Sequence, residues 1–150
     1  MRKTKVCIII ILNFFIFNTS YSGLEGMGDI KLDKEVVKYF KVYLGNKEQN
    51  IKSGALKHGE GDYFFVSESG NGFGYSYCPQ AYGADGCMRN PLLGKKNCRK
   101  DVKEYLKTNE KCYLFAKQRV IVWNGNKIRI PRKATSKEID EILKYNNFID

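Results

Sequence analysis

The residues with chemically useful side chains fall into three groups along the 150-residue chain. The first is His58, the one histidine, which stands two positions before Glu60. An imidazole close to a carboxylate can serve as an acid–base pair in hydrolysis. The pair therefore predicts, as an alternative function, a secreted acid–base hydrolase such as a ribonuclease. A glycine-rich loop with a solvated histidine accounts for the same residues without catalysis.

Cysteines form the second group, and four of the five follow the first 22 residues: Cys78, Cys87, Cys98 and Cys112. An even number in an exported chain predicts two disulfides, with three connectivities open. A zinc site would need converging thiolates, yet the chain has no CxxC pair. We therefore expect disulfides, and neither a metal nor another cofactor.

The helix predicted at 97–107 limits which cysteines can pair with Cys98. Such a helix would place Cys98 about 15 Å from its far end, at ~1.5 Å per residue. Cys112 begins the next predicted strand at that far end, whereas bonded cysteines have Cα atoms within about 7 Å. The spacing favours a bond from Cys98 to Cys78 or Cys87.

A basic and aromatic segment, 117–133, forms the third group. If 124–126 are the loop of a β-hairpin, Trp123 lies opposite Lys127 and Ile121 lies opposite Arg129. Because side chains alternate along a strand, one face becomes a core face, made of Val120, Val122, Ile128 and Ile130. The opposite face would be exposed and consists of Arg119, Ile121, Trp123, Lys127 and Arg129.

This exposed face predicts a binding site formed by Arg119, Trp123, Lys127 and Arg129. Its partners would be anionic: an envelope polymer, phospholipid head groups or nucleic acid. Cations packed beside an indole also gain about 0.5–1 kcal/mol without any ligand. The sequence thus favours a binding or envelope-associated protein without catalysis, and leaves a solvated sheet surface as the alternative.

The N-terminus indicates export. Three cations within the first five residues precede about a dozen apolar ones, too few to span a bilayer, which takes about 20. Ser20 and Ser22 supply small residues before a cleavage site. We expect a signal peptide at 1–22 and a periplasmic or secreted domain at 23–150. An uncleaved anchor remains the alternative.

The pattern of the remaining chain predicts one α+β domain. The net charge of +10 falls to +7 on cleavage, because the signal carries three cations and no acid. The length leaves no room for a large two-domain cofactor enzyme. Helical spacing predicts helices at 33–44, 97–107 and after a capping box at Thr135 and Glu138. Between them, a hairpin and a three-strand meander predict a small, mainly antiparallel sheet stapled by disulfides.

The hairpin is rich in aromatic residues, which allow two interpretations. They could stack on sugars or bases, or they could form cross-strand pairs that pack on a helix. The residues concerned are Tyr63, Phe65, Phe73, Tyr75 and Tyr77.

Several short motifs resemble a group of small secreted or periplasmic proteins of marine alphaproteobacteria. The motifs are Gly-Tyr-Ser-Tyr-Cys-Pro at 74–79, Cys-Tyr-Leu-Phe-Ala-Lys at 112–117 and Ile-Val-Trp at 121–123. The resemblance covers about 34–148 and implies a small exported protein that contains cysteines. It implies no particular activity. One departure is Tyr105, which stands where members of the group usually carry a cysteine.

Overall fold

The computed structural model describes residues 24–46, 61–77 and 91–150, with the side chain of Tyr77 excepted. Several predictions concern residues outside these ranges, and the structure does not bear on them: the signal peptide at 1–22, the pair His58 and Glu60, and the cysteines Cys78 and Cys87.

The described residues form three α-helices and one five-stranded antiparallel sheet. The helices are α1 (Lys34–Tyr43), α2 (Pro91–Asp101), which continues into a π-helical turn (Val102–Leu106), and α3 (Ser136–Tyr145). The strands are β1 (Gly61–Ser67), β2 (Phe73–Tyr77), β3 (Cys112–Lys117), β4 (Val120–Ile121) and β5 (Ile128–Arg129). They lie in the order β2-β1-β3-β4-β5. The predicted α+β class, with packed helices and a disulfide, is confirmed.

Local sequence signals set the ends of two helices. The Asp33 side chain caps α1 by accepting a hydrogen bond from the backbone N–H of Glu35 at 2.8 Å. Gly45, just past the other end, has a φ of +71°, which glycine adopts without strain. A reciprocal capping box between Thr135 and Glu138 starts α3. Helix α2 instead begins six residues earlier than predicted, at Pro91, where proline suits a first turn.

One face of the sheet is covered by α1 and α3. The ring of Phe40 on α1 meets Phe64 of β1 and Phe115 of β3 edge-on, with centroids 5.2 and 5.4 Å away. Burial of one such side chain stabilises the fold by about 1.5–3 kcal/mol. The two helices are also joined to each other, since the buried Lys41 Nζ lies 2.7 Å from the Asp140 carboxylate. This face holds the larger part of the core.

The opposite face is covered by α2, which buries Gly94, Cys98 and Val102 against the sheet. Contact with β2 is especially close. A Cβ at Gly74 would overlap the backbone nitrogen of Cys98, so only glycine permits this approach. The described residues therefore form three layers, with α1 and α3 on one side of the sheet and α2 on the other.

Helix α2 also occupies the free edge of β2. The Asn97 side-chain amide donates to the Tyr75 carbonyl at 3.1 Å. One turn later, the Asp101 carboxylate accepts a hydrogen bond from the Phe73 N–H at 3.1 Å. Burial raises the pKa of Asp101 above its ordinary value, and the Phe73 N–H partly offsets that rise. These two side chains take the place of a neighbouring strand.

The disulfide joins Cys98 to Cys112, with Cα atoms 6.2 Å apart. The predicted pairing of Cys98 with Cys78 or Cys87 is therefore wrong. It failed because Cys112 lies beside Cys98 and not at the far end of the helix. Lys107 adopts a left-handed φ of +57° and reverses the chain. The residues up to Cys112 then return beside the helix, since an extended chain covers about 3.3 Å per residue.

Opening this disulfide should destabilise the protein substantially. The bond closes a loop with a sequence separation of 14, for which loop-closure entropy predicts about 3 kcal/mol. Urea unfolding of Cys98→Ala, Cys112→Ala and the double variant should show nearly equal losses, because each variant removes the same bond. Losses that add in the double variant would contradict the pairing.

Candidate functional site

The hairpin that joins β4 to β5 differs from its predicted register by one residue. Its loop has two residues, Asn124 and Gly125, with φ of +58° and +69°. Positive φ at both positions is the requirement of the tight Asn-Gly turn. The Asn126 N–H donates to the Trp123 carbonyl across this turn at 3.1 Å. The pairing is thus Ile121 with Ile128, whereas the sequence predicted Ile121 opposite Arg129.

A shift of one residue exchanges the faces of a strand. Ile121 is fully buried in the core under α1 and α3. Trp123 is 2% exposed, and its indole N–H donates to the Gly28 carbonyl at 2.7 Å. The prediction of one exposed face containing Arg119, Trp123, Lys127 and Arg129 is therefore wrong. Of these four residues, only Lys127 and Arg129 are exposed.

Arg119 serves as a structural group between α1 and the last strands. Its guanidinium donates to the carbonyl of Leu44, which ends α1, and to the carbonyls of Ile130 and Pro131, at 2.5, 3.1 and 2.6 Å. Carbonyls at a helix C-terminus lack partners within the helix and favour a cation. Arg119 is 9% exposed. It thus anchors α1 to the exit of β5.

The exposed cations lie on the other face of the sheet, the one that α2 covers in part. Directly paired residues form a row across four strands: Tyr63, Lys117, Val120 and Arg129. Paired residues in an antiparallel sheet share a face. The Lys117 ammonium lies 5.9 Å from the Tyr63 ring centroid.

We define the basic patch as the exposed residues of this region: Lys117, Lys127, Arg129 and Arg132. A cleft of about 610 Å³ adjoins it, where the turn after β3 meets the segment after β5. Arg129 and Arg132 line the cleft, together with Arg119, Gln118 and Asp62. Guanidinium groups present several N–H donors in a plane, which suits phosphate and carboxylate oxygens. The cleft is therefore a candidate site for anionic groups.

The cleft offers charge and hydrogen-bond donors for binding. Of the described residues that line it, Arg119, Arg129 and Arg132 carry guanidinium groups and Asp62 carries the one carboxylate.

Sequence reasoning found Lys127 and Arg129 but did not select Lys117 and Arg132. Both belong to the acid-free segment 117–133. A signal for Lys117 was present in the Asn-Gly dipeptide, which fixes the two-residue loop and hence the row of paired residues. Arg132 and Asp62 come together only through the tertiary fold, which brings the start of β1 beside the segment after β5.

The aromatic residues of the first hairpin pack against helices. Tyr39 of α1 stacks on Phe73, with centroids 4.6 Å apart, and Tyr43 meets Tyr75 at 6.2 Å. On the other face, Phe65 is fully buried and Tyr63 is 8% exposed. The structure thus matches cross-strand packing on a helix. The side chain of Tyr77 lies outside the described part.

No protein family, curated protein or solved structure matches this chain. Within residues 24–46, 61–77 and 91–150, no helix has the length and apolar character needed to cross a bilayer. The same ranges contain no cluster of three or more histidine, cysteine or acidic residues suited to a metal ion.

Two arginine variants should separate structure from surface. Arg119→Gln removes the guanidinium from three backbone carbonyls and should lower the free energy of unfolding by about 3 kcal/mol or more. Arg129→Gln changes an exposed side chain and should stay within about 0.5 kcal/mol of wild type. Urea unfolding of both proteins makes the comparison. Equal effects would show that Arg119 does not hold α1 in place.

Proposed function

We propose that the protein is an exported, non-enzymatic module that binds anionic polymers through the basic patch. The single observation that carries this proposal is the segregation of charge between the two sides of the sheet. Helices α1 and α3 together contain five lysines and four acids. Residues 117–133, which supply the basic patch, contain six cations and no acid.

On the α1 and α3 side, most charges are already paired. Lys38 lies 3.0 Å from Glu35, Lys41 lies 2.7 Å from Asp140, and Lys137 lies 3.8 Å from Glu141. Among the described residues, by contrast, Lys127 and Arg129 have no acidic partner within 4.0 Å. Charges without a neighbour of opposite sign retain their full attraction for an anionic ligand.

The spacing of the patch favours repeated charges over one compact anion. Lys117 on β3 and Arg129 on β5 are separated by two inter-strand spacings, or about 10 Å between backbones. Lys127 precedes Arg129 by two residues, or about 7 Å along an extended chain. A chain that carries an anionic group on each repeat can contact several of these cations at once. The exposed, open surface suits such a ligand.

Binding should be strongly salt-dependent and should rest on Lys127 and Arg129. With polyuridylic acid as the probe, each lost contact reduces the slope of log affinity against log salt by about 0.7. Lys127→Ala with Arg129→Ala should therefore lower the slope by about 1.4 and the affinity by about 25-fold at 0.1 M salt. Fluorescence titration at several salt concentrations measures both quantities.

A matched control removes the same charge from the opposite side. Lys34→Ala with Lys144→Ala changes two exposed lysines of α1 and α3 and should leave the slope near that of wild type. Polygalacturonate, a carboxylate polymer, tests whether the patch requires phosphate. If the two double variants bind alike, or wild type does not bind at low salt, the basic patch is a solvated surface.

Export should be visible as processing of the N-terminus. The small residues at Ser20 and Ser22 predict cleavage before Gly23. Intact mass spectrometry of the protein recovered outside the cytoplasm should then show the loss of residues 1–22. A full-length species in the membrane fraction would contradict cleavage and support an uncleaved anchor.

A further inference from the structure

Helix α2 presents a second basic surface, separate from the basic patch. With Gly94, Cys98 and Val102 packed on the sheet, the side chains on the opposite side of the helix point to solvent. We define the α2 outer face by its exposed residues: Leu92, Leu93, Lys96, Arg99 and Lys103. The helix and its π-helical turn contain five cations and two acids.

The two acids of this segment do not neutralise the positive charge of the α2 outer face. Asp101 points to the edge of β2, where it accepts the Phe73 N–H. Glu104 lies 3.9 Å from Lys100, which is its own neighbour one turn earlier. In the described part of the chain, Lys96, Arg99 and Lys103 have no acidic partner within 4.0 Å.

The cations of this face repel one another. Arg99 lies four residues from both Lys95 and Lys103, and like charges at that spacing destabilise a helix. The pKa of Lys95 lies below its ordinary value, first because of burial and then because of the charge of Arg99. Arg99 and Lys103 also gain from the helix dipole, because each lies in a last turn, and an anionic partner would relieve the remaining repulsion.

Two apolar side chains stand at the start of the same face. Leu92 is 64% exposed and Leu93 is 48% exposed. Single exposed leucines are common on proteins. Here two adjacent leucines lie at the N-terminal end of a face that is otherwise basic, so one face offers charge for lipid phosphates and apolar area for the acyl boundary.

We propose that the α2 outer face docks the protein onto bilayers that contain anionic lipid. The helix lies parallel to the membrane, its three cations contact lipid phosphates, and its two leucines enter the head-group region. The sheet-facing side of α2 remains in the core. This binding is independent of the polymer binding proposed for the basic patch, because the two surfaces share no residue.

The two exposed leucines favour a bilayer over a nucleic acid as the partner of this face. Nucleic acid contacts on a basic helix come from cations and hydrogen-bonding side chains that reach phosphates and base edges. Exposed aliphatic side chains gain little from such a polar ligand, whereas they gain from transfer into the acyl boundary. Each cation near an anionic membrane strengthens binding by about fivefold.

Vesicle co-sedimentation tests the proposal with the full chain. Wild type should bind vesicles of phosphatidylglycerol and phosphatidylcholine more tightly than vesicles of phosphatidylcholine alone. Lys96→Gln, Arg99→Gln and Lys103→Gln combined should weaken binding to the anionic vesicles by about 100-fold. Leu92→Gln with Leu93→Gln should weaken it by about tenfold and leave the preference for anionic lipid in place.

The control is the triple variant Lys34→Gln, Lys137→Gln and Lys144→Gln, which removes the same charge from α1 and α3. It should bind vesicles as wild type does, and any contribution of residues 1–22 is common to all variants. Unchanged vesicle binding in the α2 triple variant would overturn the proposal. A second result would also overturn it: the leucine variant binds vesicles as wild type does, and the α2 triple variant loses polyuridylic acid binding. That combination would make the face a nucleic acid contact.

The polymer-binding proposal and the membrane-binding proposal can be tested independently of each other. The α2 triple variant should keep the salt slope of wild type for polyuridylic acid, and the double variant of Lys127 and Arg129 should keep vesicle binding. Circular dichroism and urea unfolding of each variant should match wild type, because all the substituted side chains are exposed. A variant that loses both activities with its fold intact would show one continuous surface and overturn the assignment of separate sites.

Discussion

A buried guanidinium, that of Arg119, fixes the relation between the first helix and the last strands. Its carbonyl partners are Leu44 at the end of α1 and the adjacent residues Ile130 and Pro131 after β5. The Ile130 N–H donates in turn to the Arg119 carbonyl at 2.8 Å. Tyr43 reinforces the junction, because its hydroxyl donates to the Gln118 carbonyl at 2.5 Å. The turn after β3 is therefore held against the end of α1. The position of β4 and β5, and with it the basic patch, depends on this buried charge.

Charge on the two sides of the sheet follows from what each side packs against. Helices α1 and α3 touch each other as well as the sheet, so their lysines find carboxylates on their own helix or across the pair, as Lys41 finds Asp140. Helix α2 is the one described helix on its side, and its Lys100 lies 3.9 Å from Glu104 of the following turn. Within the described residues no second helix supplies carboxylates to its outward charges. Among these residues, one side of the sheet is therefore basic and the other nearly balanced.

The elements predicted from sequence are those whose signals are local. The predicted helix at 33–44 agrees with α1 to within one residue at each end, and the predicted capping box of Thr135 and Glu138 starts α3. Two predictions depended on register or direction and failed. Counting Asn126 as part of the loop moved Trp123 from the core to the surface, and placing Cys112 at the far end of α2 hid its bond to Cys98. Both errors are small in sequence, but a strand changes face with every residue and the chain reverses at Lys107.

The bond between Cys98 and Cys112 also protects the sheet against unwanted partners. Asn97 and Asp101 flank Cys98 on α2, and they occupy hydrogen-bonding groups on the outer edge of β2. An uncovered edge is a template for strand addition by another chain and for growth into aggregates. Because the disulfide ties α2 to β3, it keeps both side chains at that edge. Reduction would loosen this cover and favour strand addition at the outer edge of β2.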